Sequence, residues 1–277
     1  MVLNPFVFLP LYLYPYNVTS WSNITTSIAA HPQLNFHIII APNLINVLPD
    51  LNYQSALNTL NNFTNVVTLG YVATSWTQRD ISSVMGDISS YAAWNNYTSA
   101  NIAVQGIFFD EATSSPANDS ISYMKNVTAF AKTSLGPGRQ HISLNPGVVV
   151  DPAYFDMADT VNIFENSWSE FNLTTLTAMP WDILAKSTYV IHNFAGDKYI
   201  QADLISNLTD ANVGGLLVTT QDSYNEVSAL WPQFCDSLAW KIGTGDLDDR
   251  AINHSRKRSQ KKDVSTHTKG ARMRGAL

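Results

Sequence analysis

The residues best suited to chemistry are two adjacent carboxylates, Asp110 and Glu111, and a third further along the chain, Glu165. Asp110 and Glu111 close the run Val104-Gln105-Gly106-Ile107-Phe108-Phe109, whose apolar, β-branched and aromatic content is that of a buried strand. Charge at the end of such a strand costs desolvation and has no packing purpose. A turn former, a helix cap or the partner of a base is the plainer reading. By the two-residue period of a strand, Asp110 shares a side with Phe108 and Gly106; if that side faces inward, Glu111 leans outward or lies in the following loop. Glu165 ends the apolar run Thr160-Val161-Asn162-Ile163-Phe164, where burial would raise its pKa. Hydrolysis of a glycosidic bond needs one protonated and one ionised carboxyl group across that bond. The trio fits this need, with Asp110 as nucleophile or base, Glu165 as proton donor, and Glu111 as a positioning or electrostatic partner.

The elements that must position these acids follow from periodicity. Strands are expected over 6–14, 36–41, 66–72, 104–110, 141–145, 160–165, 188–193 and 214–220. Helices are expected between and after them, over 23–30, 53–61, 80–94, 120–135, 152–158, 169–186, 200–208 and 225–242. Pro10 is an oddity for a central strand. Eight strands alternating with eight helices match an α/β fold of the (β/α)8 barrel type, a single domain over 1–242. A doubly wound open sheet is the competitor, but no Gly-rich phosphate turn follows an early strand. A barrel works at the C-terminal ends of its strands, and those ends form a rim of acids, amides and aromatics. They deliver Tyr12 and Tyr14, Asn43, Tyr71, the two acids of strand four, Asn145, Glu165 with Trp168 beyond it, His192 and Asn193, and Gln221 and Asp222. Such a rim suits sugar rings, whose apolar faces stack on aromatics and whose hydroxyls bond to amides and acids. It holds neither an arginine cluster for phosphate nor a lysine for a Schiff base. Each member also has a structural reading: the aromatics as lids on the core, Asn145 and Asn193 as turn formers, His192 as a structural histidine, Asp222 as a helix cap.

Composition narrows the partners. Of the 277 residues, those at 1–242 carry 7 Lys and Arg against 18 Asp and Glu, and those at 243–277 carry 9 against 4. An acidic body offers no footprint for nucleic acid. The basic tail over 243–277 has no apolar period and reads as disordered, with nuclear localisation the less favoured reading of its Arg256-Lys257-Arg258 cluster. Cys235 is the single cysteine and reads as a buried structural thiol. The six histidines show no H-x-H or H-E-x-x-H spacing, so neither a metal nor another cofactor is expected. Nine N-x-[ST] sequons, at Asn17, Asn23, Asn62, Asn96, Asn118, Asn126, Asn172, Asn207 and Asn253, together with scarce lysine, suggest a secreted, glycosylated eukaryotic protein of the extracellular space or cell wall. The apolar start over 1–16 lacks a basic n-region and an A-x-A-like cleavage site, so it reads as the first strand; secretion would require a leader outside this chain or an unconventional route. No run reaches the length of a membrane span, and a monomer acting on a polysaccharide is expected.

Ordered blocks along the chain resemble the spherulation-specific family 4, or spherulin-4-like, proteins. The blocks are Pro10-Leu11-Tyr12-Leu13-Tyr14-Pro15 with Trp21, Leu48-Pro49-Asp50 before Tyr53, Gly70-Tyr71-Val72-Ala73-Thr74, Gly106-Ile107-Phe108-Phe109-Asp110-Glu111, and Asn145-Pro146-Gly147. The resemblance implies a (β/α)8 barrel and similarity to fungal glycoside hydrolases that cut galactosaminogalactan, an α-1,4-linked polymer of galactose and N-acetylgalactosamine. It also implies that an Asp-Glu pair after strand four and a Glu after strand six are the functional acids, at Asp110, Glu111 and Glu165 here. The chain departs from the family's Gly-Pro-Gly-containing loop after strand two, reading Ala41-Pro42-Asn43-Leu44-Ile45-Asn46-Val47. The expectation is an endo-acting glycosidase on an amino-sugar polymer. Its rivals are a cell-wall or spore-coat carbohydrate-binding protein without turnover and, less favoured, a metal-dependent barrel hydrolase.

Overall fold

A computed structural model describes residues 4–44 and 48–243. The tail expected over 243–277, from residue 244 on, and residues 45–47 of the second loop lie outside the described residues. Eight strands form a closed, all-parallel barrel in chain order, with the eighth pairing back onto the first. They are β1 (Phe6–Leu11), β2 (Phe36–Ile40), β3 (Val66–Ala73), β4 (Gly106–Asp110), β5 (His141–Leu144), β6 (Thr160–Ser167), β7 (Ser187–His192) and β8 (Gly215–Val218). The helices that return the chain are α1 (Ser22–Ala30), α2 (Leu51–Leu60), α3 (Ile81–Ala93), α4 (Asn118–Leu135), α5 (Ala153–Met157), α6 (Trp181–Ala185), α7 (Lys198–Asp210) and α8 (Trp231–Gly243). The (β/α)8 expectation holds.

Local chemistry sets the boundaries. Asp50, Asp80 and Asp197 each accept two backbone N–H groups at the start of α2, α3 and α7, satisfying donors that a helix N-terminus leaves unpaired. Gly136, at φ +77°, ends α4. Pro10 is tolerated for a specific reason. Along β1 the N–H of Val7 points to β2 and that of Phe6 to β8, so residue 10 faces β8. Pairing with β8 stops after Val7, so the missing N–H breaks no ladder bond.

Three expectations need correction. β1 ends at Leu11, and Tyr12 and Tyr14 lie in the loop beyond it. The span 169–186 is not one helix but two 3-10 turns followed by the five-residue α6, because Pro180 sits immediately before that helix. The helix expected from 225 starts only at Trp231, with Pro232 in its first turn, so 219–230 is a long loop over the barrel mouth.

The lumen is filled by alternate strand residues. Phe8 and Phe108 pack with ring centroids 5.8 Å apart, and Tyr71 lies above Phe108 at 6.1 Å. Below them, Phe6 stacks on His37 at 3.9 Å and His37 meets His141 edge-on at 4.8 Å. Aromatic packing closes the floor, and polar side chains occupy the top.

Candidate active site

Two backbone clips bring β4, β5 and β6 to a common mouth. The Asn145 N–H donates to Phe109 O (2.8 Å), and the Ala112 N–H donates to Asn145 O (3.0 Å), fixing the end of β5 against β4. On the other side Gly147 donates to Asn162 O and accepts from the Glu165 N–H, both at 3.0 Å. Gly147 can do this because its φ is +67°, a conformation costly for residues with a Cβ.

These Gly147 contacts fall on a bulge. The register of β6 against β7 slips between Asn162 and Phe164, placing Ile163 out of step. In a regular strand residues 162 and 165 would face opposite sides. The extra residue turns Phe164 onto the face of Tyr189 (5.7 Å, 13°) and brings Glu165 to the same side as Asn162. A bulge that re-aims a side chain beside a site is a recurrent use of this irregularity.

The two acids meet at one amide. Asn145 Nδ2 donates to Asp110 Oδ1 and to Glu165 Oε2, each at 2.8 Å. Asn162 Nδ2 donates to Glu165 Oε2 (3.0 Å) and to Asn145 Oδ1 (2.8 Å), so a second amide orients the first. Tyr224 Oη donates to Glu165 Oε1 at 2.5 Å. Burial pushes the Glu165 carboxyl above its ordinary value; hydrogen bonds from Tyr224 and Asn145 oppose that rise, and the Asp110 charge adds to it. Burial first, and then the charges of Asp110 or Glu165, push the hydroxyls of Tyr12, Tyr71 and Tyr224 up, so these phenols keep their protons, and those of Tyr224 and Tyr71 are shared with Glu165 and Asp110. The Tyr12 ring stands edge-on between Tyr71 (5.6 Å) and Tyr224 (5.7 Å), and its N–H donates to Tyr224 O.

Glu111 takes a different position. Its φ is +50°, and its Oε2 accepts from Ser75 Oγ (3.2 Å) in the loop after β3. His192 lies close enough for its charge to favour the ionised Glu165, and its Nδ1 is buried with no hydrogen-bond partner among the described residues.

The remaining sequence candidates lie outside this cluster. Tyr14 packs on Tyr53 and Tyr16 and accepts from Asn52 Nδ2 (3.2 Å). Trp168 is half-buried against Phe171 and Phe194. Asn193, at φ +51°, turns the chain after β7, with its N–H donating to Gln221 O. Asn43 and Asp222 are exposed, in the loops after β2 and β8. Three participants escaped the sequence reading. Tyr224 lies just before a stretch that reads as helix, Asn162 shares a side with Glu165 only through the bulge, and Ser75 follows a strand whose visible features end at Thr74. Among the described residues no group of three or more His, Cys, Asp or Glu could hold a metal ion, and no helix is long and apolar enough to cross a membrane.

Comparison with known proteins places this geometry in context. The model of spherulation-specific family 4 matches residues 6–238. Spherulin-4 of Physarum polycephalum is 33% identical over 162 residues, which cover 58% of this chain and 44% of that protein. The match thus spans less than half of the curated relative. The crystal structure of Aspergillus clavatus Sph3 in complex with GalNAc superposes with a TM-score of 0.77 at 31% identity, covering 85% of this chain and 98% of that one. A GH18 chitinase, ChiB of Flavobacterium johnsoniae, is 12% identical with a TM-score of 0.50 over 85% of this chain and 94% of its own, and shares the fold alone.

Proposed function

This chain belongs to spherulation-specific family 4, and from that premise we propose that it is a glycoside hydrolase acting within an α-1,4-linked polysaccharide containing N-acetylgalactosamine or galactosamine. One observation carries the reading: Asp110 and Glu165 share a single amide donor at the barrel mouth. Two carboxyl groups so placed can divide acid and nucleophile between them. The likeness to Sph3, crystallised with GalNAc, supports an amino sugar as the ligand.

The mechanism follows from the environments. Glu165, raised by burial, is the proton donor to the leaving oxygen, and Tyr224 and the two amides hold its orientation. Asp110 attacks the anomeric carbon, with Asn145 on its Oδ1 and the Tyr71 hydroxyl beside it. Glu111 positions the loop after β3 through Ser75. The nearest oxygens of Asp110 and Glu165 are each 2.8 Å from one nitrogen, so they are no further apart than twice that distance. That upper bound lies below the roughly 6.5–9.5 Å needed to admit a water in an inverting enzyme, which favours the closer pair of a retaining one. Retention of anomeric configuration is therefore part of the reading. The reverse assignment, with Glu165 as nucleophile, is favoured by one observation: its three hydrogen-bond donors all stabilise the ionised form.

Reducing ends released from acetylated and de-N-acetylated galactosaminogalactan, with NMR of the first-formed anomer, test the proposal. Hydrolysis with retention is expected. Binding without any release would instead make this a carbohydrate-binding protein on the same barrel. The roles separate on a substrate with an activated leaving group: if Glu165 is the donor, Glu165→Gln keeps substantial turnover there and Asp110→Asn does not.

A further inference from the structure

The loop between β3 and α3 contains a conformation that its sequence does not favour. Ser75, Trp76 and Thr77 all have positive φ, at +48°, +52° and +69°. None is glycine, and one is a tryptophan and another β-branched, residue types for which the left-handed region is strained. Consecutive left-handed residues persist only where the surroundings over-determine them, and here the second Asp-Glu residue does so. The Trp76 N–H donates to Glu111 O (2.7 Å), Ser75 Oγ donates to Glu111 Oε2 (3.2 Å), and Thr74 Oγ1 donates to both Asp110 O (3.1 Å) and Glu111 O (2.9 Å). The strained turn is thus stapled to the acids of β4, while the Trp76 side chain remains 57% exposed.

A second observation concerns the whole barrel. Among the described residues, ten of the eleven exposed large apolar side chains lie in loops that follow strands or in the first three residues of the helices after them. Trp240, in α8, is the exception. Val148 and Val149, directly after the clip at Gly147, belong to this set, so exposed apolar groups flank the acids from the loops after β3 and β5. Trp76, Val148 and Val149 thus stand in the two loops on either side of the end of β4, where exposed apolar side chains can meet a ligand.

We propose that the Ser75-Trp76-Thr77 turn is a substrate subsite in which the Trp76 indole stacks on the apolar face of a pyranose ring next to the scissile bond. The inference rests on the glycosidase reading and adds to it a specificity residue. The strain holds an aromatic platform at a fixed place relative to Asp110, and Glu111 serves that platform rather than the proton transfers.

The test replaces Trp76 with asparagine, which tolerates the left-handed region but has no ring, and with tyrosine, which restores one. Trp76→Asn should melt at or above the wild-type temperature. Its loss should fall on KM more than on kcat, with KM raised about ten-fold, the equivalent of about 1.4 kcal/mol. Trp76→Tyr should recover most of that loss. In a Glu165→Gln background, N-acetylgalactosamine oligomers should change tryptophan fluorescence, and Trp76→Asn should remove the change and weaken binding by the same factor. Hydrolysis with an unchanged KM in Trp76→Asn overturns the stacking role and leaves the glycosidase reading intact. Trp76-dependent binding without hydrolysis by the wild type supports the platform and overturns the enzyme reading. No binding by either background overturns both.

Discussion

At Asn145 one amide nitrogen bonds two carboxylates, and the side chain is held in turn by Asn162. Removing it leaves partly buried acceptors without their donor, which costs about 1–3 kcal/mol. Asn145→Ala should therefore lose stability of that order in urea titration and lose turnover as well, because both acids lose their common reference point. Glu165 adds a pH dependence. Its carboxyl is raised by burial, so between the ordinary carboxylate pKa and the raised value the folded protein binds more protons than the unfolded chain. Stability falls as pH rises through that window. Glu165→Gln removes the titration, so its melting temperature should gain on wild type as pH rises above the ordinary carboxylate range, measured by scanning calorimetry in matched buffers. A constant difference across the series would contradict the raised value. The three acids were legible from residue type and from their place at strand ends. The amides and phenol that tune Glu165 were not, since Asn and Tyr in a loop or strand carry no local signal of their partners.

The strand β6 and its clip at Gly147 do what a regular ladder could not. Alternation in the sequence puts Asn162 and Phe164 on one side and Glu165 on the other. The slip at Ile163 reverses that order, and Gly147 accepts and donates across the gap. Bulges depend on the neighbouring strand, so the sequence of β6 alone cannot reveal one. The Asn145-Pro146-Gly147 block was visible as a family feature, and its physical role emerges only with its φ of +67° and its two bonds to β6. Gly147→Ala should cost about 1–2 kcal/mol from the left-handed backbone. Its new Cβ would also sit 3.6 Å from that of Glu165, an ordinary contact, so crowding adds little. Chemical denaturation reads the stability cost, and a fall in kcat beyond it would show the clip's hold on Glu165. Pro10 teaches the converse. It looks unfit for a central strand and is harmless because the β8 ladder has already ended.

Across the whole barrel an aromatic floor lies below a polar mouth. The architecture was readable because the alternation of strand and helix repeats eight times, and errors in single elements do not disturb the count. The misread stretches, 169–180 and 225–230, are loops and 3-10 turns that follow β6 and β8, where no helical period holds the chain. The floor makes its own prediction. His37, stacked on Phe6 and edge-on to His141, is held neutral, its pKa lowered from 6.5 to about 3 by desolvation and by His141. Between those values the unfolded chain binds more protons than the folded one, so stability declines as pH falls below the ordinary histidine range. His37→Phe should flatten that acid limb in melting curves. At the mouth, the rate at which purified Asp110→Asn and Glu165→Gln release reducing ends from α-1,4-linked galactosaminogalactan decides whether the two acids work as a pair. Both should remain folded by calorimetry and lose at least about 100-fold in rate, the lower bound for removing a positioned acid or base. Wild-type rates in either folded variant would rule that pairing out.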